Sequence, residues 1–322
     1  MNLIDAYRYL AALEQHRHFG RAAAACHITQ PALSNALRAL ETHLDVAIVR
    51  RGRQYEGLTP EGERVLASAH RVLREQEALQ QELTGSAEQP RGRLVIGAVP
   101  TAVPIAARFA TWLVQRHPGL VPQVRSLSSQ EIETGLDTLA IDLALGYTER
   151  ARPGPADPPT WPQYIEHYYL LRRDAGKGRA NRAEAAFRFG APMRWADAAK
   201  LPLCMLSPEM HNRAILDGVF RELGLSVPPV IETNSVMALL ESVRAGELAA
   251  VLPGAVVATV AGQHGLEARA LVEPEVRTPI GFMSAGAAAA RRSRALEAAL
   301  RLAADAEWLA HAGAHSGPLH TA

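Results

Sequence analysis

Phe19-Gly20-Arg21-Ala22-Ala23-Ala24-Ala25-Cys26-His27-Ile28-Thr29-Gln30-Pro31-Ala32-Leu33-Ser34-Asn35 is the stretch whose reading decides the fold of the amino-terminal part. Ala22 to Ala25 are strong helix formers and Gly20 allows a tight entry, which predicts a short helix over Arg21–Cys26 that stops near His27. Thr29 is then a helix N-cap with Pro31 in the first turn, and Leu33, Leu37, Leu40 and Leu44 recur at helical spacing. Upstream, Leu3, Ile4, Tyr7, Leu10, Ala11 and Leu13 have the spacing of a helix with one buried stripe. A helix, a turn of about three residues and a capped helix make a helix-turn-helix.

Working outward, Val46-Ala47-Ile48-Val49 reads as a short strand, Arg50-Arg51-Gly52-Arg53 as a basic loop and Leu58 as the return. This predicts a winged helix-turn-helix over 1–59. Thr59 caps a further helix with Pro60 at its first position, and no proline interrupts it up to about Leu83, placing a linker helix at 60–86. Val65, Ala69, Val72, Gln76, Leu79 and Leu83 alternate steps of four and three, as in a dimerising coiled-coil seam. The competing account is a core helix packing on its own domain.

The chain has 322 residues, room for two or three domains at roughly 100–200 residues each. Its 34 basic and 33 acidic residues leave a net charge of +1, so no protein-wide field draws it to nucleic acid and any such site is local. Between Arg17 and Arg53, however, six arginines stand against Glu41 and Asp45. Arginines on the wing neutralise phosphates, which supplies affinity without sequence reading. Gln30, Ser34, Asn35 and Arg38 stand off the leucine stripe, and glutamine, asparagine and arginine match adenine or guanine edges. Each alone would be a solvated helix face; together with the wing arginines they point to double-stranded DNA. Two cysteines, Cys26 and Cys204, exclude a disulfide framework and fit a reducing cytoplasm. The longest apolar stretch, Leu248 to Gly262, is broken by Pro253 and falls short of a membrane span, and Asp5, Arg8 and Glu14 argue against a signal peptide.

Gly85 to Gly92 is rich in turn residues, which predicts a hinge at 87–92. Beyond it short apolar runs alternate with helical segments: Leu94–Gly97, Ala106–Arg116, Val121–Leu127, Ser129–Leu139, Ile141–Leu145, then, after the proline-rich Arg152–Pro162, Tyr168–Arg172, Trp195–Ala199, Leu203–Leu206, Asn212–Leu223, Val230–Glu232, Val236–Ala245 and Leu248–Leu252. Such alternation predicts parallel α/β sheets in two lobes. Pro279–Ser284 and Arg291–His311 read as one more strand and a long helix. The lobes are expected at 93–162 with 275–313 (lobe I) and at 163–274 (lobe II), with a tail at 314–322.

Phe19 to Ala24, His27 to Ser34, Leu37, Leu40-Glu41 and Leu44, then Val49-Arg50-Arg51 and Leu58 to Gly62, resemble the LysR-type transcriptional regulators of bacteria. Val49 departs from the family's usual aromatic residue, and Asn35 stands where arginine is frequent. The resemblance continues in Gly97, Pro118 with Val121, Asp142 to Gly146 and Val243 to Pro253. It implies a two-lobed α/β effector domain similar to periplasmic binding proteins, an inducer between the lobes, and a homodimer or a homotetramer built as a dimer of dimers. The residues expected at the DNA are Arg21, Thr29, Gln30, Pro31, Ser34, Asn35, Arg38, Arg50, Arg51 and Arg53. His167 to Leu171 and Leu203 to Met210 resemble LysR regulators found near formate dehydrogenase operons, which implies a one-carbon acid as effector.

Hydroxyl and amide residues after strands, at helix amino termini, can hold an anion: Thr101, Ser128 and Ser129 in lobe I, Ser207, Thr233 and Asn234 in lobe II. Helix capping is the plainer role of each. A small carboxylate-type effector follows from their distribution over both lobes. There is no Gly-rich phosphate loop, Gly-x-Ser-x-Gly elbow or His-Glu-x-x-His, so no catalytic residue, cofactor or metal is expected. Cys204, in an apolar strand run, reads as a buried inert thiol, and His311, His315 and His320 as part of a terminal tail. The alternative to a regulator is a ligand-binding or enzymatic α/β protein whose amino-terminal helices serve assembly alone.

Overall fold

The computed structural model describes residues 2–50, 52, 55–84, 89–150, 159–174, 186–285 and 292–314. Helices α1 (Leu3–His16), α2 (Phe19–Ala25) and α3 (Gln30–Leu44) pack around Leu10, Leu13, Ala22, Leu33, Leu37, Leu40 and Ile48. The Thr29 hydroxyl accepts from the Ala32 N–H at 3.3 Å, so the second helix of the motif starts where its capping residue stands. Helix α4 (Pro60–Thr84) follows, with the Thr59 hydroxyl accepting from the Gly62 N–H at 2.9 Å.

The strand expected at Val46–Val49 is reduced to a single bridge between Val49 and Leu58. The cause is a side chain that takes the strand's donors: the Glu41 carboxylate accepts from the Ile48 N–H at 2.7 Å and the Val49 N–H at 3.1 Å. The wing is thereby tied to α3. Gly62 lies against it so closely that a Cβ would stand 2.1 Å from the Ile48 carbonyl oxygen.

The seam of α4 is shared between two uses. Ala69 is buried and Val65 half-buried against the amino-terminal core, and the Arg8 guanidinium donates to Gln76 at 3.2 Å. Val72, Leu79 and Leu83 stay exposed, at 40%, 48% and 76%. Further along, Arg74 donates to the Leu139 carbonyl at 3.1 Å and pairs with Asp142, fastening α4 to the effector part. Of the segment read as a hinge at 87–92, residues 87–88 lie outside the described residues, and Gly92 already opens the first strand that follows.

The effector part runs β1 (Gly92–Ala98), a 3-10 turn (Pro100–Ala102), α5 (Val103–Arg116), β2 (Leu120–Ser126), α6 (Ser129–Asp137), β3 (Leu143–Tyr147) and β4 (Thr160–Glu166). It continues with β5 (Tyr168–Arg173), β6 (Arg188–Phe189), β7 (Met193–Arg194), α7 (Trp195–Ala198), β8 (Leu203–Leu206), α8 (His211–Glu222), β9 (Ile231–Thr233), α9 (Val236–Ala245), β10 (Ala249–Pro253), α10 (Gly254–Val260) and β11 (Leu266–Val272). It closes with β12 (Thr278–Ser284), α11 (Arg294–Ala303) and α12 (Ala306–Ala314). One sheet has the order β2-β1-β3-β12-β4, the other β6-β11-β5-β10-β8-β9 with β7 beside β11.

Three expectations are corrected here. The sheets are mixed rather than parallel: β12 runs antiparallel to β3 and β4, and β5 antiparallel to β10 and β11, because the chain crosses between lobes and returns. The crossing falls at His167 rather than after Pro162, since β4 pairs with β12 as far as Glu166 opposite Thr278. The single long final helix is two helices, broken where the Asp305 carboxylate accepts from the Trp308 N–H at 3.0 Å. Trp308 is then buried on Phe109, and its indole N–H donates to Gln163 of β4 at 2.6 Å, which puts the terminal helices in lobe I. The apolar stretch after Leu248 divides at Pro253 into β10 and α10, and β11 is a strand the sequence pattern did not announce. No helix among the described residues is long and apolar enough to cross a membrane.

Candidate nucleic-acid interface and effector cleft

On α3 the leucine stripe faces the core and the opposite face is open. Thr29, Gln30, Pro31, Asn35 and Arg38 are exposed and Ser34 half-exposed, so the structure brings these onto one face. The Arg38 guanidinium donates to the Asn35 side-chain carbonyl at 3.4 Å, leaving an amide and a guanidinium side by side as donors. Arg21 is also exposed but tied back, its guanidinium donating to the His16 carbonyl at 3.1 Å. Arg50 is exposed on the wing, where its N–H donates to the Gly57 carbonyl at 3.0 Å. Arg51 and Arg53 lie outside the described residues.

In the effector part the predicted residues separate. Thr101 is fully buried and its hydroxyl shares a 3.2 Å hydrogen bond with the Tyr147 hydroxyl. Ser128 is used up in a capping box: its hydroxyl accepts from the Glu131 N–H at 3.2 Å and its N–H donates to the Glu131 carboxylate at 2.8 Å. Ser129 is buried with no hydrogen-bond partner for its hydroxyl among the described residues. On lobe II, the Thr233 hydroxyl accepts from the Ser235 N–H at 3.2 Å, the Ser207 N–H donates to the Thr233 carbonyl at 2.9 Å, and Asn234 is exposed. Thr233 is accounted for by a local turn, Ser207 by the continuation of the β8–β9 pairing, and Asn234 faces solvent.

What meets lobe I from lobe II is instead the start of α8. Arg213 anchors it, donating to the Leu206 carbonyl at 3.0 Å and pairing with Asp217 and Glu232. The His211 ring lies 4.6 Å from that of Tyr147, and the Asn212 amide stands beside the Tyr147 hydroxyl. Arg150 of lobe I holds Glu133 at 2.8 Å and approaches His211 Nδ1 at 3.4 Å; burial and the Arg150 charge lower the His211 pKa. Behind this seam Tyr168 bonds Thr278 at 3.1 Å, and Tyr164 and Glu166 are buried. The Glu166 carboxyl is pushed up to about 8 by burial. Tyr147, Tyr164, Glu166, His211 and Asn212 were not singled out by sequence reasoning, and Tyr168 entered only as part of the His167–Leu171 resemblance, not as a site residue. The one available signal was a lone glutamate inside the aromatic run Tyr164-Ile165-Glu166-His167-Tyr168-Tyr169.

Cys204 is buried in β8, its thiol within 3.3 Å of the Ala249 carbonyl, and burial pushes it up to about 11. Among the described residues no group of His, Cys, Asp and Glu is placed to hold a metal ion.

Comparison with known proteins agrees with this division. Residues 4–63 match the profile described as bacterial regulatory helix-turn-helix protein, lysR family, and residues 180–307 the LysR substrate binding domain. The chain is 28% identical over 284 residues to the DNA-binding transcriptional dual regulator OxyR of Escherichia coli, covering 88% of this chain and 89% of that one. It is 33% identical over 139 residues to a probable hydrogen peroxide-inducible genes activator of Mycobacterium xenopi, covering 43% of this chain and 74% of the relative. In fold it is similar to a full-length OxyR variant from Pseudomonas aeruginosa (TM-score 0.65, 23% identity, 92% of this chain and 96% of that one). It is likewise similar to full-length CbnR complexed with its target DNA (TM-score 0.62, 18% identity, 96% and 99% covered). With a helix-turn-helix at one end, a two-lobed α/β unit at the other and both profiles matched in place, the chain belongs to the LysR family of bacterial transcriptional regulators.

Proposed function

We propose that this LysR-family regulator binds double-stranded DNA sequence-specifically and that a small carboxylate held between its lobes modulates that binding. Gln30, Ser34, Asn35 and Arg38 read base edges in the major groove, Arg50, Arg51 and Arg53 hold phosphates, and Arg21, Thr29 and Pro31 complete the DNA-binding surface around them. The observation that carries the effector reading is the buried polar seam in which Thr101 and Tyr147 of lobe I meet His211 and Asn212 of lobe II. Its hydroxyl and amide groups are hydrogen-bond donors, and their burial favours a ligand of few heavy atoms, so a one-carbon acid is the first to try. Ligand binding there changes the relative stability of lobe arrangements and, through the Arg74 contact, the set of α4.

The exposed Val72, Leu79 and Leu83 make α4 the dimerising element, and a homotetramer built as a dimer of dimers follows the same logic at a second interface. Units at 1–59, 60–86 and beyond the 87–92 hinge, with lobe II starting after His167, describe the domain plan. The protein works without catalysis, in the cytoplasm where the chromosome is. The relatives named for hydrogen peroxide raise a thiol switch as a second reading. Cys204 argues against it: a thiol with its pKa at about 11 is almost all protonated at neutral pH and a poor nucleophile.

The test is retardation of the DNA upstream of the protein's own gene, against random DNA of equal length, at two salt concentrations, with and without formate. Specific retardation that weakens with salt and shifts with formate is expected. Equal retardation of both fragments at both salts refutes sequence reading on this DNA.

A further inference from the structure

Glu166 is the last residue of lobe I before the chain crosses at His167, and Tyr168 opens the first strand of lobe II. Its side chain is fully buried, and neither carboxyl oxygen has an aligned hydrogen-bond partner among the described residues. The hydroxyls of Thr101 and Tyr168 stand beside it, with Tyr147 and Tyr164 next to them. Two further donors of this wall, the Tyr164 hydroxyl and the Asn212 amide nitrogen, likewise lack an aligned partner among the described residues, the Asn212 amide standing beside the Tyr147 hydroxyl. None of these groups is cationic. The charged groups nearby, Glu133, Glu149, Arg150 and His211 at the seam and His167, Glu275 and Arg277 around the crossing, are partnered with one another or half-exposed.

A buried carboxyl without a cation stays a neutral acid, and a neutral acid is one donor more. The wall is therefore rich in buried donors, three of them without an aligned partner among the described residues. We propose that Glu166 anchors the effector: its carboxyl O–H donates to one oxygen of a small carboxylate, giving an acid–carboxylate pair that shares a proton, while Tyr164 and Asn212 donate to the anion. This rests on the reading of the interlobe seam as the effector site. An ionised Glu166 would repel the same ligand at hydrogen-bond distance. Above the pH at which Glu166 ionises, each anion must therefore bring a proton with it, and affinity falls; below it, affinity is flat.

The experiment is calorimetric titration of the full-length protein with formate and acetate from about pH 6 to about pH 9.5 at constant ionic strength, in buffers of two ionisation enthalpies. The expected result is flat affinity at low pH, a fall approaching tenfold per pH unit above about pH 8, and uptake of about one proton per anion there. In Glu166→Gln, whose amide donates but does not titrate, the pH dependence and the proton uptake disappear. Tyr164→Phe weakens binding several-fold and keeps the wild-type slope, and a cooperative melt reports that each variant is folded. Wild-type binding without proton uptake, or the same slope in Glu166→Gln, overturns the role of Glu166 and leaves the seam as effector site. No binding of either anion at low pH overturns both this inference and the carboxylate reading.

Discussion

Glu41→Ala tests whether the wing is held for DNA binding by a side chain of the recognition helix. The Glu41 carboxylate accepts two partly buried backbone N–H groups, from Ile48 at 2.7 Å and Val49 at 3.1 Å, immediately before Arg50. A charged hydrogen bond contributes about 1.5–3 kcal/mol net. Both bonds share one oxygen and Val49 is reachable by water, so their joint loss comes to about 3 kcal/mol. Removing a negative charge from the last turns of α3 returns roughly 0.3–1 kcal/mol through the helix dipole. The remaining 2 kcal/mol or so shifts the ratio of docked to detached wing by about thirtyfold. If Arg50, Arg51 and Arg53 hold phosphates, a detached wing gives up their counterion release. The assay is fluorescence anisotropy with specific and random DNA at about 50–200 mM salt. Affinity should fall about tenfold on both DNAs, and the dependence of log K on log salt should become shallower by about one to three. An unchanged salt slope, or a loss confined to the specific site, would refute the reasoning.

Three shorter predictions follow from the same geometry. Gly62→Ala places a Cβ 2.1 Å from the Ile48 carbonyl oxygen, which is backbone and yields little, so the amino-terminal unit should lose about 1–3 kcal/mol in chemical unfolding; a wild-type midpoint would show that the wing gives way freely. Glu166 holds its proton in the folded protein to about pH 8, against 4.5 as its ordinary value, so its share of stability is complete at acid pH and is lost as pH rises between those values. Glu166→Gln should remove that slope, at most about 1.4 kcal/mol per pH unit, and parallel melting curves of variant and wild type across the window would contradict it. The double variant Cys26→Ser, Cys204→Ser should keep its DNA footprint and its response to formate, and hydrogen peroxide should leave the wild-type footprint unchanged; a footprint that peroxide alters in the wild type alone would restore the thiol switch.

The helix-turn-helix was legible because its signals are local. A cap at Thr29, a proline at Pro31 or Pro60 and leucines at helical spacing act within a turn or two of the residues they organise. The exposed face of α3 followed from the same periodicity, since residues off the leucine stripe have nowhere to go but solvent. Legibility failed where a side chain reached across the chain, as when Glu41 took the donors of the wing strand. At Ser128 the pattern was visible but ambiguous, because an anion site and a capping box use the same residue at the same place.

By itself the sequence determined the amino-terminal helices and their basic, polar face, and that the rest alternates into two α/β lobes. Only the tertiary structure decided the direction of β12 and β5, the crossing at His167 and the burial of Glu166. The physical reason is separation. Tyr168 and Thr278, which share a hydrogen bond beside Glu166, lie 110 residues apart, and strand pairing at that distance is set by the closing of the whole lobe rather than by any preference of the residues themselves. A carboxyl with no cation beside it looks like any surface glutamate until the fold has closed over it.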